Sequence, residues 1–262
     1  MTAACVYPFR LASYLTGYPE KEVIMEAYLE RLVNLPLPLL LCLLLLQNLL
    51  VFAGALLAGY AMRKWYHVPI QRVTVAAWKI GLLTVLINTV ITIAGALLWK
   101  HGYIRMTYTS GPVIVGDTLI LFFAMDMLMY VFHYVIHHTF LYRAVHALHH
   151  EAVNPTPIDL FVLHPVETAG FGILWLLILW SGTYNIWSII IYLVLNVIFG
   201  VAGHLGFEPL QSYPRLNRWA GLILGTSAFH HAHHRDVHGN FGFYTSLWDR
   251  LFHTYLPVDR EK

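Results

Sequence analysis

Apolar residues in this chain fall into long stretches, not into the short alternations of a soluble domain. Leu37 to Met62 runs for more than 20 residues without a charge, enough to cross a hydrocarbon core as a helix. Arg63, Lys64 and Trp65 close it with the basic and aromatic residues that favour a membrane interface. Lys79 to Trp99 predicts a second span, and Gly102 to Gly116 a turn-rich connection. Asp117 is placed to cap a third, TLILFFAMDMLMYVFHYVIHH. Residues 138–165 read as a loop and short helix broken at Asn154-Pro155-Thr156-Pro157. Val166 to Gly203 is apolar again, interrupted by Ser181-Gly182-Thr183-Tyr184-Asn185, and its length fits either one tilted span or a hairpin. Ahead of all these, residues 1–35 read as an amphipathic lead-in on the membrane surface. Glu20, Glu22, Glu26 and Glu30, with no apolar run among them, make it unlike a cleavable leader.

Composition narrows the class. The chain is 58% hydrophobic and 11% charged, against roughly 25% charged residues in a soluble domain, and its mean hydropathy is +0.60. The expectation is an all-α, multi-pass integral membrane helical bundle. A net charge of +2 without a basic run argues against a nucleic-acid partner. Cys5 and Cys42 do not suggest a disulfide framework.

Histidine changes the picture further. His133 and His137 form an HxxxH pair, and His146, His149 and His150 an HxxHH triplet. Eighty positions later comes a second triplet, His230, His233 and His234. At these spacings the rings of each box share one face of a helix. Polyhistidine storage tracts are low in complexity, whereas these boxes sit among apolar residues, so the pattern points to a metal site. His204, between Gly203 and Leu205 at the end of the last apolar stretch, and His164, before Pro165, are further candidate ligands. A tetrahedral zinc needs four ligands, so ten imidazoles fit two metals better than one, and imidazole suits Zn, Cu, Fe and Ni alike.

A cationic centre also calls for carboxylates that hold the far nitrogen of a ligand ring. Asp126 shares a helical stripe with Tyr130, His133 and His137 and is the first candidate. Glu167 is another, with Glu151, Asp236 and Asp249 behind it. His231, like His138, is turned about 100° from its box and reads as a hydrogen-bonding neighbour, and Asn240 joins these supporting positions. His67, His101, His238 and His253 read as interfacial or supporting residues.

The three ordered boxes, followed by Asn240-Phe241-Gly242 and by the run from Leu247-Trp248-Asp249 to Thr254-Tyr255, resemble the fatty acid hydroxylase superfamily of membrane di-iron oxidases. His149-His150 to Pro157, with His164-Pro165-Val166-Glu167, is similar to its sterol-desaturase branch. The resemblance covers roughly residues 117–256, and His253 stands where members commonly have glycine. It implies two irons held by His133, His137, His146, His149, His150, His204, His230, His233 and His234. It further implies O₂ as co-substrate and hydroxylation or desaturation of an unactivated C–H position of a membrane lipid, with no catalytic group beyond the ligands. Without a GxGxxG fingerprint, electrons would come from a cytochrome b5, a ferredoxin or a reductase.

The resulting division is 1–116, an amphipathic segment and two transmembrane helices, and 117–262, the histidine-box region with further transmembrane helices. One site can form only if residues 166–203 return the chain as a hairpin, giving five apolar segments, four of them main crossings. Basic residues then set orientation. Arg63, Lys64, Arg72, Lys79, Arg143 and six more after His204 lie on the histidine side, against Arg10, Lys21, Arg31, Lys100 and Arg105. That bias places a histidine-rich cap in the cytoplasm, of a bacterial inner membrane or of the endoplasmic reticulum. The alternative reading is a histidine-rich membrane metal-binding or metal-transport protein. A transporter would carry ionisable residues through the middle of several spans.

Overall fold

The structure, a computed structural model, describes residues 20–257. Most of the lead-in, Cys5, Arg10, and the terminal Arg260 and Lys262 counted for orientation lie outside the described residues. The chain begins with α1 (Glu20–Val33) and continues into four helices long and apolar enough to cross a membrane. These are α2 (Leu37–Trp65), α3 (Val75–Lys100), α4 (Val113–His137) and α6 (Ile186–Gly203). Between the last two lies the shorter apolar α5 (Pro165–Ser181). The 166–203 stretch is thus a hairpin, and the protein is an all-α, multi-pass membrane bundle.

The hairpin turn is pinned at the end of the bundle away from the histidines. There β1 (Arg105–Thr107) pairs in parallel with β2 (Thr183–Asn185). Asn185 serves three partners at once. Its side chain donates to the Thr109 carbonyl and accepts from Trp187 N–H to cap α6, while its own N–H donates to Asp117. Asp117 therefore does not cap α4. The helix starts four residues earlier, because Val113-Ile114-Val115-Gly116 continues the apolar helix behind Pro112, which fits a first turn.

At the opposite end the connections become compact. A 3₁₀ turn, Pro157–Phe161, drops Ile158 and Phe161 between α2, α3 and α6, with the Phe52 and Phe161 rings edge to face at 4.7 Å. Thr156 starts it, its N–H and hydroxyl both donating to Asp159. Arg63, expected at the membrane interface, is instead buried. Its guanidinium donates to the carbonyls of Leu205 (2.5 Å) and Pro69 (2.6 Å), tying the end of α2 to the residue after His204. Gly206 follows with φ +71°, and a Cβ there would strike the Pro155 carbonyl, so the turn requires glycine.

The last quarter of the chain comprises α7 (Pro214–Ile223), α8 (Ser227–Arg235) and α9 (Leu247–Leu251). The loop between α8 and α9 packs down beside α4 and α6. Tyr244 is fully buried there, its hydroxyl donating to Asn196 and lying 2.9 Å from that of Tyr192.

Candidate metal centre

Nine imidazoles meet at the ends of α4 and α6. His133, His137, His146, His150 and His233 form one group, and His149, His204, His230 and His234 another, the ligand-capable atoms of each within 4.8 Å of one another. All but the half-buried His137 are buried. The two triplets are each divided between the groups. His146 and His150, four residues apart, turn one way while His149 turns the other. His230 and His234 likewise pair off and send His233 across. The triplets therefore do not share one face as their spacing suggested: on α8, rings four apart align within about 40° whereas the ring three apart is offset to the other side by about 60°.

Local backbone makes this division possible. The second box does not lie on an α-helix: Tyr142–His146 is a π turn, with Ala147 N–H bonded to the Tyr142 carbonyl five residues back, and His149–Glu151 is 3₁₀. Such turns often mark functional positions. On α8 Thr226 caps the helix by accepting from Phe229 N–H, and all three box residues follow within two turns.

The hydrogen bonds fix which nitrogen faces inward. A carbonyl oxygen can only accept, so the ring that meets it donates. Nδ1–H of His133 donates to the Phe241 carbonyl (2.9 Å), that of His233 to Gly239 (2.7 Å), and that of His204 to Gly200 (2.9 Å). His149 donates more weakly to Val162 (3.3 Å), and His146 to the buried carboxylate of Glu167 (2.8 Å). Burial, reinforced by the neighbouring imidazoles, holds His146, His230, His233 and His234 far below the usual histidine range and His150 at about 2. A neutral ring carrying its proton on Nδ1 presents a bare lone pair at Nε2.

The Nε2 atoms of these five rings face one another and those of His137 and His230. Nε2 of His133 lies 3.0 Å from that of His146 and 3.1 Å from those of His137 and His233. In the second group Nε2 of His204 lies 3.3 Å from that of His230 and 3.5 Å from that of His149. Converging lone pairs repel unless a cation lies among them. Two nitrogens bonded at about 2.1 Å to one ion would sit roughly 3.0 to 3.4 Å apart for angles between octahedral and tetrahedral. The donor set therefore fits two metal ions. Nδ1 of His150 and of His234 is buried with no partner among the described residues.

The other expected residues are placed as follows. His164 belongs to neither group; its Nδ1 accepts from Val166 N–H as the cap of α5. Glu167 grips His146, leaving its second oxygen without a partner among the described residues. Asp126 reaches no histidine, because it lies two turns, about 10 Å, along the helix from His133. Its carboxylate instead accepts from Tyr244 N–H, Thr245 N–H, the Thr245 hydroxyl and the Trp248 indole. His231 donates to Asn154 (2.9 Å). Asn240, at φ +58°, is buried and pairs its side-chain amide with the backbone of Leu256. His253, where the resemblance leads one to expect glycine, also takes up the left-handed region at φ +60°.

Five parts were not read from the sequence: the ring-aiming carbonyls of Phe241, Gly239, Gly200 and Val162, and the grip of Asp249 on backbone, where a carboxylate beside a ligand ring was expected. Asp249 accepts from Phe241 N–H, Gly242 N–H and the Thr254 hydroxyl, holding the segment that orients His133 and His233. Its signal was present, as a lone carboxylate among Leu247, Trp248, Leu251 and Phe252.

Fold and site together define a class: a multi-pass membrane protein with adjoining histidine centres fitted to metal ions. The family model described as Fatty acid hydroxylase matches residues 118–254, more than half of the chain, and the chain belongs to that family. A very-long-chain aldehyde decarbonylase (GL1-5) of Oryza sativa subsp. indica is 26% identical over 179 residues, 65% of this chain and 28% of that protein. Methylsterol monooxygenase 1 of Danio rerio is 30% identical over 134 residues, 49% of this chain and 43% of its own. The Delta(7)-sterol 5(6)-desaturase of Leptosphaeria maculans is 28% identical over 180 residues, 67% and 48% respectively. The chain thus spans less than half the length of these relatives. No solved structure matches it.

Proposed function

We propose that the protein is an O₂-dependent di-iron oxidase that hydroxylates or desaturates an unactivated C–H position of a membrane lipid. The observation that carries this reading is the pair of buried groups whose unprotonated Nε2 atoms converge. Family membership supports iron over the other metals that imidazole accepts, and relatives named for sterol oxidation support a lipid substrate.

In this reading His133, His137, His146, His150 and His233 hold one iron, and His149, His204, His230 and His234 the other. Iron bound there would supply O₂ reduction, which with two external electrons and two protons balances either as entry of one oxygen atom into a C–H bond with release of one water or as loss of two hydrogens with release of two waters. The chain's own part is positional. Phe241, Gly239, Gly200 and Val162 carbonyls aim the rings; Glu167 holds His146 and adds negative charge against the cationic centre. The buried setting excludes bulk water. The half-buried His137 borders an open surface depression lined also by Thr139, Phe140, Tyr142 and Arg143. A cytochrome b5, ferredoxin or reductase delivers electrons at that same face, and the bias of basic residues supports reading it as the cytoplasmic one.

The test is a metal count on detergent-purified protein, together with lipid profiling of membranes with and without the active gene. The expectation is about two irons per chain, one for each histidine group, and a lipid product gaining one oxygen or losing two hydrogens. A single haem, or a readily exchanged ion carried across vesicles without a lipid product, would overturn it.

A further inference from the structure

The segment after the third histidine box lies at a depth that its sequence does not announce. Its partners on α4 are Asp126, bonded to Trp248 and Thr245, and Tyr130, whose ring stacks on Phe252 at 5.6 Å. They stand 11 and 7 residues before His137, about 16 and 10 Å along the helix. On α6 its partners are Tyr192 and Asn196, well inside the span. The outer surface of α4 remains apolar and exposed beside it, at Met127, Val131 and Val135, as suits contact with acyl chains. On α9, Leu247 and Leu251 (59% exposed), and Phe252 just after it, are exposed and apolar as well.

α7 is fastened to this segment. The Ile223 carbonyl accepts from Ser246 N–H and the Gly221 carbonyl from Arg250, and Leu224 bridges to Thr245. None of its residues is buried. Leu216, Trp219 (68% exposed) and Ile223 (61%) lie on one stripe at helical spacing. Exposed Arg215 and Arg218 flank that stripe, and no acidic residue occurs between Glu208 and Asp236.

We infer that α7 is an interfacial helix, its Leu216–Trp219–Ile223 face seated at the acyl boundary of the bilayer and its Arg215 and Arg218 reaching the phosphates of anionic phospholipids. The occupant is the membrane itself, because the exposed apolar residues of α7 belong to a segment bonded through α9 to α4, a helix that itself crosses the bilayer. Amphipathic helices with basic flanks bind in this way, by apolar burial plus attraction to anionic lipid. Only Leu224, Gly225 and Thr226 separate α7 from α8, so the lipid surface adjoins three of the histidines.

The test places a nitroxide at residue 216, 219 or 223, and at 217 as the control, in full-length protein with Cys5→Ser and Cys42→Ser. The proteins are held in nanodiscs of phosphatidylcholine alone or with phosphatidylglycerol. Metal content reports that each variant is folded. The expected result is an oxygen-to-aqueous-chelate collision ratio several-fold higher at 216, 219 and 223 than at 217. It should rise further with phosphatidylglycerol, and Arg215→Gln/Arg218→Gln should abolish that rise. Equal chelate access at all four positions would overturn the inference, whether or not the protein oxidises a lipid.

Discussion

The Nδ1–H of His133 donates to the carbonyl oxygen of Phe241, 108 residues further along the chain, at 2.9 Å. That bond decides which nitrogen of His133 is free. It also makes the centre depend on a backbone segment that contributes no ligand. Asp249 holds that segment through Phe241 N–H and Gly242 N–H.

Asp249→Ala should therefore act on both stability and the centre. It strands two buried N–H donors, each costing on the order of 1–3 kcal/mol when left unsatisfied, while the Thr254 hydroxyl keeps the Tyr130 hydroxyl as a partner. A melting temperature lowered by several degrees or more, together with partial loss of metal, is expected from thermal unfolding and metal analysis in detergent. Unchanged metal content in a folded variant would show that the loop does not orient the rings.

Glu167→Gln keeps the shape but removes the charge opposite His146. Replacing a carboxylate that supports a ligand histidine typically weakens metal affinity by about 10- to 100-fold. Chelator titration should show metal released at lower chelator concentration, with little change in expression level.

The two groups should lose metal separately. His204 belongs to the second group only, so His204→Ala should bring the count from about two ions per chain toward one, whereas His149→Ala/His233→Ala strikes both groups. Equal loss from the single and the double variant would mean that the groups fill as one unit.

Acid should destabilise metal-stripped protein. Burial depresses the folded-state pKa of His150 to about 2 and holds His146, His233 and His234 well down too. Unfolded histidine takes up protons near pH 6.5. Below that pH the unfolded state binds more protons, so stability present above about pH 6.5 falls as pH drops. Thermal melts of stripped protein between pH 7.5 and 5 should show a steadily lower midpoint, and a flat profile would contradict it.

Much of this architecture could be read in the sequence because lipid imposes a simple rule. A span must be apolar for its whole length, and Leu37–Met62 and Lys79–Trp99 obey it within a few residues at each end. The boxes were legible because i,i+4 spacing is a local property. What escaped was set by distant partners. Arg63 reads as an interfacial cation until the Leu205 and Pro69 carbonyls arrive to bury it. Asp126 shares a stripe with His133, but stripe membership says nothing of distance along the axis. The π turn at Tyr142–His146 leaves no compositional trace, and a carbonyl that aims a ring, as at Gly239 or Phe241, belongs to no residue type. His164 illustrates the converse: a histidine before a proline can cap a helix as readily as it can bind a metal.

Asp126 also constrains the order of assembly. Its four donors lie 118 to 122 residues downstream, so during synthesis the third long helix is made while they are still untranslated. Until residues 244–248 have been made, that carboxylate has none of these mates. Chains arrested before Tyr244 would thus hold the early helices and all nine imidazoles, yet lack the donors of Asp126 and the Asp249 carboxylate that holds Phe241 and Gly242, so the centre should mature only after this segment has been made.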